Sequence, residues 1–331
     1  IGAVNGAAIV QGIEADDLLA FWRSLRERDI EGLPPNMTRF ARWVVNQVIK
    51  NLIGVSLNPV HPEEATTPKP EQSWLPLPGL GKLGAMFLGR WNNLLDTGPL
   101  RRTITERLGL DPQKIEQSPS ILLINATHVS TGMRVTFSNR PIYRRNSAEP
   151  RPDVQPGITI QRILASCSIP LVYPWTFDDL TRSVYWDGAV VANTPLGVSL
   201  DAANAWSNED RMEAVVVLMT PWKEGSPINQ SGHEQLPKDF TEAITWMLDW
   251  FMLASFRERL DLINAYNRLR EIGFEIQHPE LKSIRQVDVV IVAPEDFFPV
   301  ARIIDYDEYT DQLIELGRRA AERAFIENFP G

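Results

Sequence analysis

Apolar residues recur every three or four positions in some stretches of this chain and crowd into short runs in others, and the two patterns alternate. Leu18, Phe21, Trp22 and Leu25 follow Asp16 and Asp17, which read as the cap of a first helix. Met37, Phe40, Ala41, Val44, Val45, Val48, Ile49 and Leu52 repeat the helical step after Pro34 and Pro35. Two further helices are predicted over about 240–271 and 307–327. Ile121–Ala126 predicts a buried strand, with Met133–Phe137 as its antiparallel neighbour across Ser130-Thr131-Gly132. Ala214–Met219 and Val287–Val292, dominated by β-branched residues, predict two more strands. Six prolines between Pro59 and Pro78 break any regular element there and predict a long, lid-like loop; Pro141–Pro156 predicts another. Strands separated by helices make a layered α/β fold.

Composition narrows the function classes. The 331 residues are 44% hydrophobic with a net charge of −9, which excludes a disordered tail and a basic nucleic-acid-binding arm. The length admits one large α/β domain or two ordinary ones. A single cysteine, Cys167, excludes a disulfide framework and a thiolate zinc cluster, and it fits a reducing compartment. No apolar run of about 18 residues is present, so no membrane span is predicted. The opening Ile1-Gly2-Ala3-Val4-Asn5-Gly6-Ala7-Ala8 has neither an initiator Met nor the pattern of a signal peptide and reads as a start within a longer protein.

The most specific constellation is Ala165-Ser166-Cys167-Ser168-Ile169-Pro170 followed by Tyr185-Trp186-Asp187-Gly188-Ala189-Val190-Val191-Ala192-Asn193-Thr194-Pro195-Leu196. Asp187 ends a short aromatic strand before Gly188, a residue that permits a sharp turn and close approach of another group. A carboxylate held there could face a reacting group, although Asp-Gly by itself also marks an ordinary hairpin turn.

These segments resemble the patatin-like phospholipases, which pair a serine in a Gly-X-Ser-X-Gly elbow with an aspartate in an Asp-Gly-(Gly/Ala) motif. Ile1-Gly2 and the residues to Ala8 are similar to the elbow from just after the serine, and Asp187-Gly188-Ala189 through Asn193-Thr194-Pro195 is similar to the aspartate motif. Leu94–Leu100 and Asn125-Ala126-Thr127-His128-Val129-Ser130-Thr131-Gly132 resemble two further family segments, in the family's order. The resemblance implies a single three-layer α/β/α domain over 1–331 with a mostly parallel, mixed central sheet and the 56–93 segment inserted as a loop or lid. It also implies a lipid acyl hydrolase with a Ser-Asp dyad and no cofactor or metal. Asp187 would be the proton acceptor, Ile1 and Gly2 the remnant of the elbow, and the serine would stand immediately before Ile1. Without that serine and the upstream oxyanion loop, the chain is expected to be inactive.

No complete Gly-X-Ser-X-Gly occurs; Gly197-Val198-Ser199-Leu200-Asp201 lacks the closing glycine and falls where the family has a helix. The dyad needs no histidine: His61 and His233 read as solvated loop residues, His128 as a turn stabiliser, and His278 lies in no triad motif. Cys167, in an apolar stretch, reads as a buried small hydrophobe rather than a nucleophile. Apolar segments at 75–91 and 246–256 could line an acyl-chain pocket or touch lipid, with core packing favoured for the second. Arg140, Arg144, Arg145 and Arg151 could meet lipid phosphates, with a solvated loop favoured. The expected partners are phospholipid, lysophospholipid or other acyl esters and, peripherally, a membrane or lipid interface, with no nucleic acid, in the cytoplasm. The competing expectation is a catalytically silent patatin-like scaffold that binds lipid or protein.

Overall fold

The computed structural model describes residues 2–30, 32, 93, 95–144, 148–170, 172–206, 211–219, 240–273, 285–295 and 309–328. The helix expected over 37–52 and the insertion expected over 56–92 lie outside the described residues.

Two helices open the fold: α1 (Gly2–Gln11) and α2 (Ala15–Ser24). The cap of α2 is Glu14, with no side-chain bond, whereas Asp16 and Asp17 stand inside the first turn. Their charges complement the positive end of the helix there instead of capping it. After α3 (Glu27–Ile30), the next described helix is α4 (Gly98–Arg102), which runs on into a π turn over Thr103–Arg107. Helix α5 (Pro112–Gln117) begins where the Asp111 carboxylate accepts the Gln113 N–H at 2.9 Å, and Pro112 occupies its first turn, where a missing N–H costs nothing.

Strands β1 (Leu123–His128) and β2 (Arg134–Ser138) form the expected antiparallel hairpin, with Leu123 opposite Ser138 and Thr127 opposite Arg134. Gly132, at φ 65°, supplies the left-handed residue that closes it, and the Gly132 N–H donates to the His128 carbonyl at 2.9 Å. The 141–156 segment is not wholly a loop. Its end forms β3 (Val154–Pro156), parallel to β2, with Val154 buried at the junction. Helix α6 (Ile160–Ala165) leads to β4 (Thr176–Asp178) and β5 (Ser183–Asp187). Short α7 (Ala189–Ala192) and α8 (Leu196–Trp206) follow. The sheet order is β3-β2-β1-β5-β4. A second, two-stranded parallel sheet joins β6 (Arg211–Val217) to β7 (Gln286–Val292), with α9 (Phe240–Glu271) between them in sequence and α10 (Thr310–Asn328) after them.

Helices cover both faces of the five-stranded sheet. Ile124, Ala126, Phe137 and Tyr185 share a core with Val4, Ala7 and Ala8 of α1 and with Ile163, Leu164 and Ala165 of α6. Leu123, on the opposite face by the alternation of a strand, packs with Val198 and Ala202 of α8. This is the expected α/β/α layering. The pairings are mixed: β2–β3 and β6–β7 are parallel, while β1–β2, β1–β5 and β4–β5 are antiparallel. Within the described residues the antiparallel pairs predominate in the larger sheet, because two hairpins and the β1–β5 pairing build it. In the smaller sheet, Val216 and Leu218 pack with Leu253, Phe256 and Leu260 of α9, and Val290 and Val292 pack with Ala320 and Ala324 of α10.

The deepest charged contact joins α6 to β4. Arg162 and Asp178, each with a side chain only 2% exposed, are bonded from Nη2 to Oδ2 at 3.0 Å. Arg162 Nη1 also donates to the Gly157 carbonyl at 2.6 Å, and its guanidinium lies 4.5 Å from the centre of the Phe137 ring. Burial pushes the Asp178 carboxyl up, but hydrogen bonds from Arg162 and Thr181 outweigh this and leave it below its ordinary value.

Candidate active site

Asp187 is the last residue of β5, opposite Ala126 of β1. Its N–H donates to the Ser168 carbonyl at 2.9 Å, and its own carbonyl accepts the Thr127 hydroxyl at 2.9 Å. The carboxylate Oδ1 accepts the Ala189 N–H at 2.8 Å, at the start of α7. The chain thus passes from strand to helix directly, and the Asp-Gly pair is not a hairpin turn. Gly188 has φ −64°, so its need is for space rather than for a left-handed backbone. A Cβ there would lie 2.6 Å from the Asn125 carbonyl oxygen.

Burial pushes the Asp187 carboxyl above its ordinary value, against the Ala189 amide, which pulls it down. The elements holding Asp187 are the segment after α6, strand β1 and the start of α7. Cys167 belongs to the same wall. It is buried in the core that Val4 and Ala7 of α1 share, and its thiol is pushed up by burial and by the Asp187 charge. A neutral, enclosed thiol is a poor nucleophile.

Of the elbow remnant, Gly2 begins α1 with open space where a Cβ would be, while Ile1 lies outside the described residues. Ala189 starts α7. Ser199 of the incomplete elbow is inside α8 and donates to the Pro195 carbonyl at 3.2 Å, one helical turn back, so it does not sit at a strand-to-helix turn. His128 stands at the far end of β1. Its Nδ1 is 3.1 Å from the Thr131 hydroxyl and its ring packs edge-on to Tyr185, which makes it part of the hairpin closure. His61, His233, His278 and the 75–91 segment are outside the described residues.

The arginine cluster is dispersed. Arg151 is half-buried and bonds Asp153 (Nε to Oδ1, 2.9 Å) and Asp201. Arg140 donates to the Ser118 carbonyl at 2.7 Å, and Arg144 is exposed. The solvated-loop reading is thus corrected for Arg151 and Arg140, whose charges and hydrogen bonds are used inside the fold; Arg145 is outside the described residues. Leu253 and Phe256 of the 246–256 segment are core residues, while Met247 is 60% exposed. Among the described residues no three His, Cys, Asp or Glu side chains stand together in a way that could hold a metal ion.

The family model for patatin-like phospholipases matches residues 1–200, a span that includes α1, the β1–β2 hairpin, Asp187 and the start of α8. The chain belongs to the patatin-like phospholipase family. No curated protein matches it. Membership carries lipid acyl hydrolysis as its class of chemistry, and the α/β/α layering agrees with it. For a patatin-like chain the Asp187 surroundings have a clear chemical meaning. A half-enclosed carboxylate, fixed through its main chain on both sides, is a group that accepts a proton more readily than a free one. No helix among the described residues is long and apolar enough to cross a membrane.

Sequence reasoning missed Thr127 as a partner of Asp187 and Arg162 as the partner of Asp178. Arg162 carried a signal, a cation directly before the apolar Ile163-Leu164-Ala165, which must find a counter-charge when buried. Thr127 lay inside a recognised segment, but its bond depends on strand register.

Proposed function

We propose that this chain supplies the base of a Ser-Asp dyad that hydrolyses acyl esters of phospholipids or lysophospholipids. Asp187 takes the proton of a serine standing immediately before Ile1 as that serine's oxygen attacks the ester carbonyl. The tetrahedral intermediate collapses, the proton passes from Asp187 to the departing alcohol, and water then releases the acid from the acyl-enzyme by the same steps. The serine sits at the amino end of α1, where the helix field favours developing negative charge. The enzyme works in the cytoplasm, peripheral to a lipid surface from which it draws its substrate.

The observation that carries this reading is the main-chain and carboxylate bonding of Asp187 at the β5–α7 junction. The raised carboxyl suits a group that must hold a proton in mid-cycle. Fluorophosphonate labelling of the protein from its natural source, followed by peptide mapping, tests it. An adduct on a serine directly ahead of Ile1 is expected. A different residue at that position, with no adduct, would overturn the dyad and leave a lipid-binding or partner-binding scaffold.

A further inference from the structure

We propose that Thr127 is a positioning residue for Asp187, holding the main chain of the base in place through its hydroxyl. The inference rests on the reading of Asp187 as the dyad base, and it gives a role to the Asn125–Gly132 segment that this reading leaves unused.

The argument starts from the ladder between β1 and β5. Thr127 faces Trp186, and Ala126 faces Asp187. Beyond the paired strands the Val129 N–H donates to the Val184 carbonyl at 3.0 Å, which continues the same register. Bonded and unbonded rungs alternate in an antiparallel pair, so a bonded rung at Val129 and Val184 makes Thr127–Trp186 bonded and Ala126–Asp187 unbonded. The ladder therefore gives the main chain of Asp187 no hydrogen bond from β1. Helix α7 gives none to its carbonyl either, because the Val191 and Ala192 N–H groups both donate to the Gly188 carbonyl. A buried carbonyl in that position needs another donor. Thr127 Oγ1 is that donor, at 2.9 Å, and Thr127 is 1% exposed, so water does not replace it.

The hydroxyl acts on one side of Asp187 and Ser168 on the other, where the Ser168 carbonyl accepts the Asp187 N–H. Together they fix the peptide planes on both sides of the Asp187 Cα, and hence the direction in which its side chain leaves the strand. The β-branched carbon of threonine restricts χ1 and keeps the hydroxyl aimed. Because burial raises the carboxyl of Asp187, any loosening that admits water is read directly as a fall in its titration midpoint.

The test compares Thr127→Val, which keeps the shape and removes the donor, with Thr127→Ser, which keeps the donor. The Asp187 carboxyl is titrated by carbon NMR, and the exchange of its amide is followed in the same samples. In Thr127→Val the amide is expected to exchange at least roughly tenfold faster and the carboxyl to titrate nearer its ordinary value, as a loosened, wetter site requires. Thr127→Ser is expected to stay close to wild type. A folded Thr127→Val protein with unchanged exchange and titration overturns the proposal. If that variant does not fold, the wild type decides. Its Thr127 hydroxyl proton must exchange slowly with water, and a freely exchanging one overturns the assignment.

In the enzyme carrying its nucleophile, Thr127→Val is expected to lower kcat roughly 10- to 100-fold with KM little changed. The acid limb of its pH profile should move with the NMR midpoint, and Thr127→Ser should restore both. Hydrolysis that survives Asp187→Asn would remove the dyad reading while leaving the coupling between Thr127 and Asp187 intact, so the two failures are distinguishable.

Discussion

Gly188 is pressed against Asn125 so closely that a β-carbon on the glycine would stand 2.6 Å from the asparagine's carbonyl oxygen and 2.7 Å from its carbonyl carbon and its own β-carbon. Two of those three atoms are backbone atoms of a central strand, which cannot swing aside. The residue after the candidate base is glycine because β1 occupies the space that a side chain would need.

Gly188→Ala is therefore expected to lower stability by about 1–3 kcal/mol, the usual cost of overpacking. It also pushes Asp187 away from Ala126. Denaturant midpoints measure the first effect and ester turnover the second. An alanine variant as stable as wild type would show that β1 can yield.

Asp187→Asn separates catalysis from stability. Loss of the proposed base is expected to lower hydrolysis by about 100- to 10,000-fold in the enzyme that carries its nucleophile. The fold should respond in the opposite direction. Because the folded carboxyl titrates above its unfolded value, its contribution is complete below the unfolded pKa and is lost as pH rises through the raised folded one. The variant should thus gain stability over wild type as pH rises through that window, and the gap should close in acid. Thermal melts of both proteins across pH 3 to 8 check the sign; a gap that widens in acid would contradict it.

Much of this arrangement was legible from residue patterns. The β1–β2 hairpin, β6, β7 and α9 follow from period and β-branching, since each buries a face that the sequence marks by itself. Asp187 was legible because its neighbours form a local motif. The partners that fix it were not, because they meet through register. Thr127 and Asp187 are separated by 60 positions. The same holds for Arg162, whose counter-ion lies 16 residues away across the α6–β4 connection. Asp16 and Asp17 show the limit of a cap motif, since either side of a helix start suits a carboxylate.

Arg162→Met tests the buried pair. Leaving Asp178 charged and enclosed without its partner is expected to cost about 3–5 kcal/mol, while adding Asp178→Asn to the same protein should recover part of that loss. Urea unfolding of the single and double variants gives the comparison. Additive losses would mean that the two groups do not interact.

Asp153 governs an acid-sensitive seam between β2, the start of β3 and α8. Burial pushes its carboxyl up, but Arg151 and Arg134 outweigh this and bring it from 3.8 to about 2. A depressed folded pKa contributes stability above the unfolded value that disappears as pH falls through the folded one. The advantage of wild type over Asp153→Asn should therefore shrink between pH 4 and pH 2. Melting curves over that range measure it, and a constant difference would assign the contribution to packing alone.

The wall behind Asp187 contains Cys167, the one cysteine of the whole chain, and it is buried. A thiol so placed works as a clock. A reagent such as a disulfide dye reaches it only while the contact between α1 and the end of α6 stands open, and each capture leaves one coloured product. The labelling rate of the unaltered protein thus counts the openings of the site. Slowing of that count by an ester analogue would reveal occupancy even where no turnover takes place.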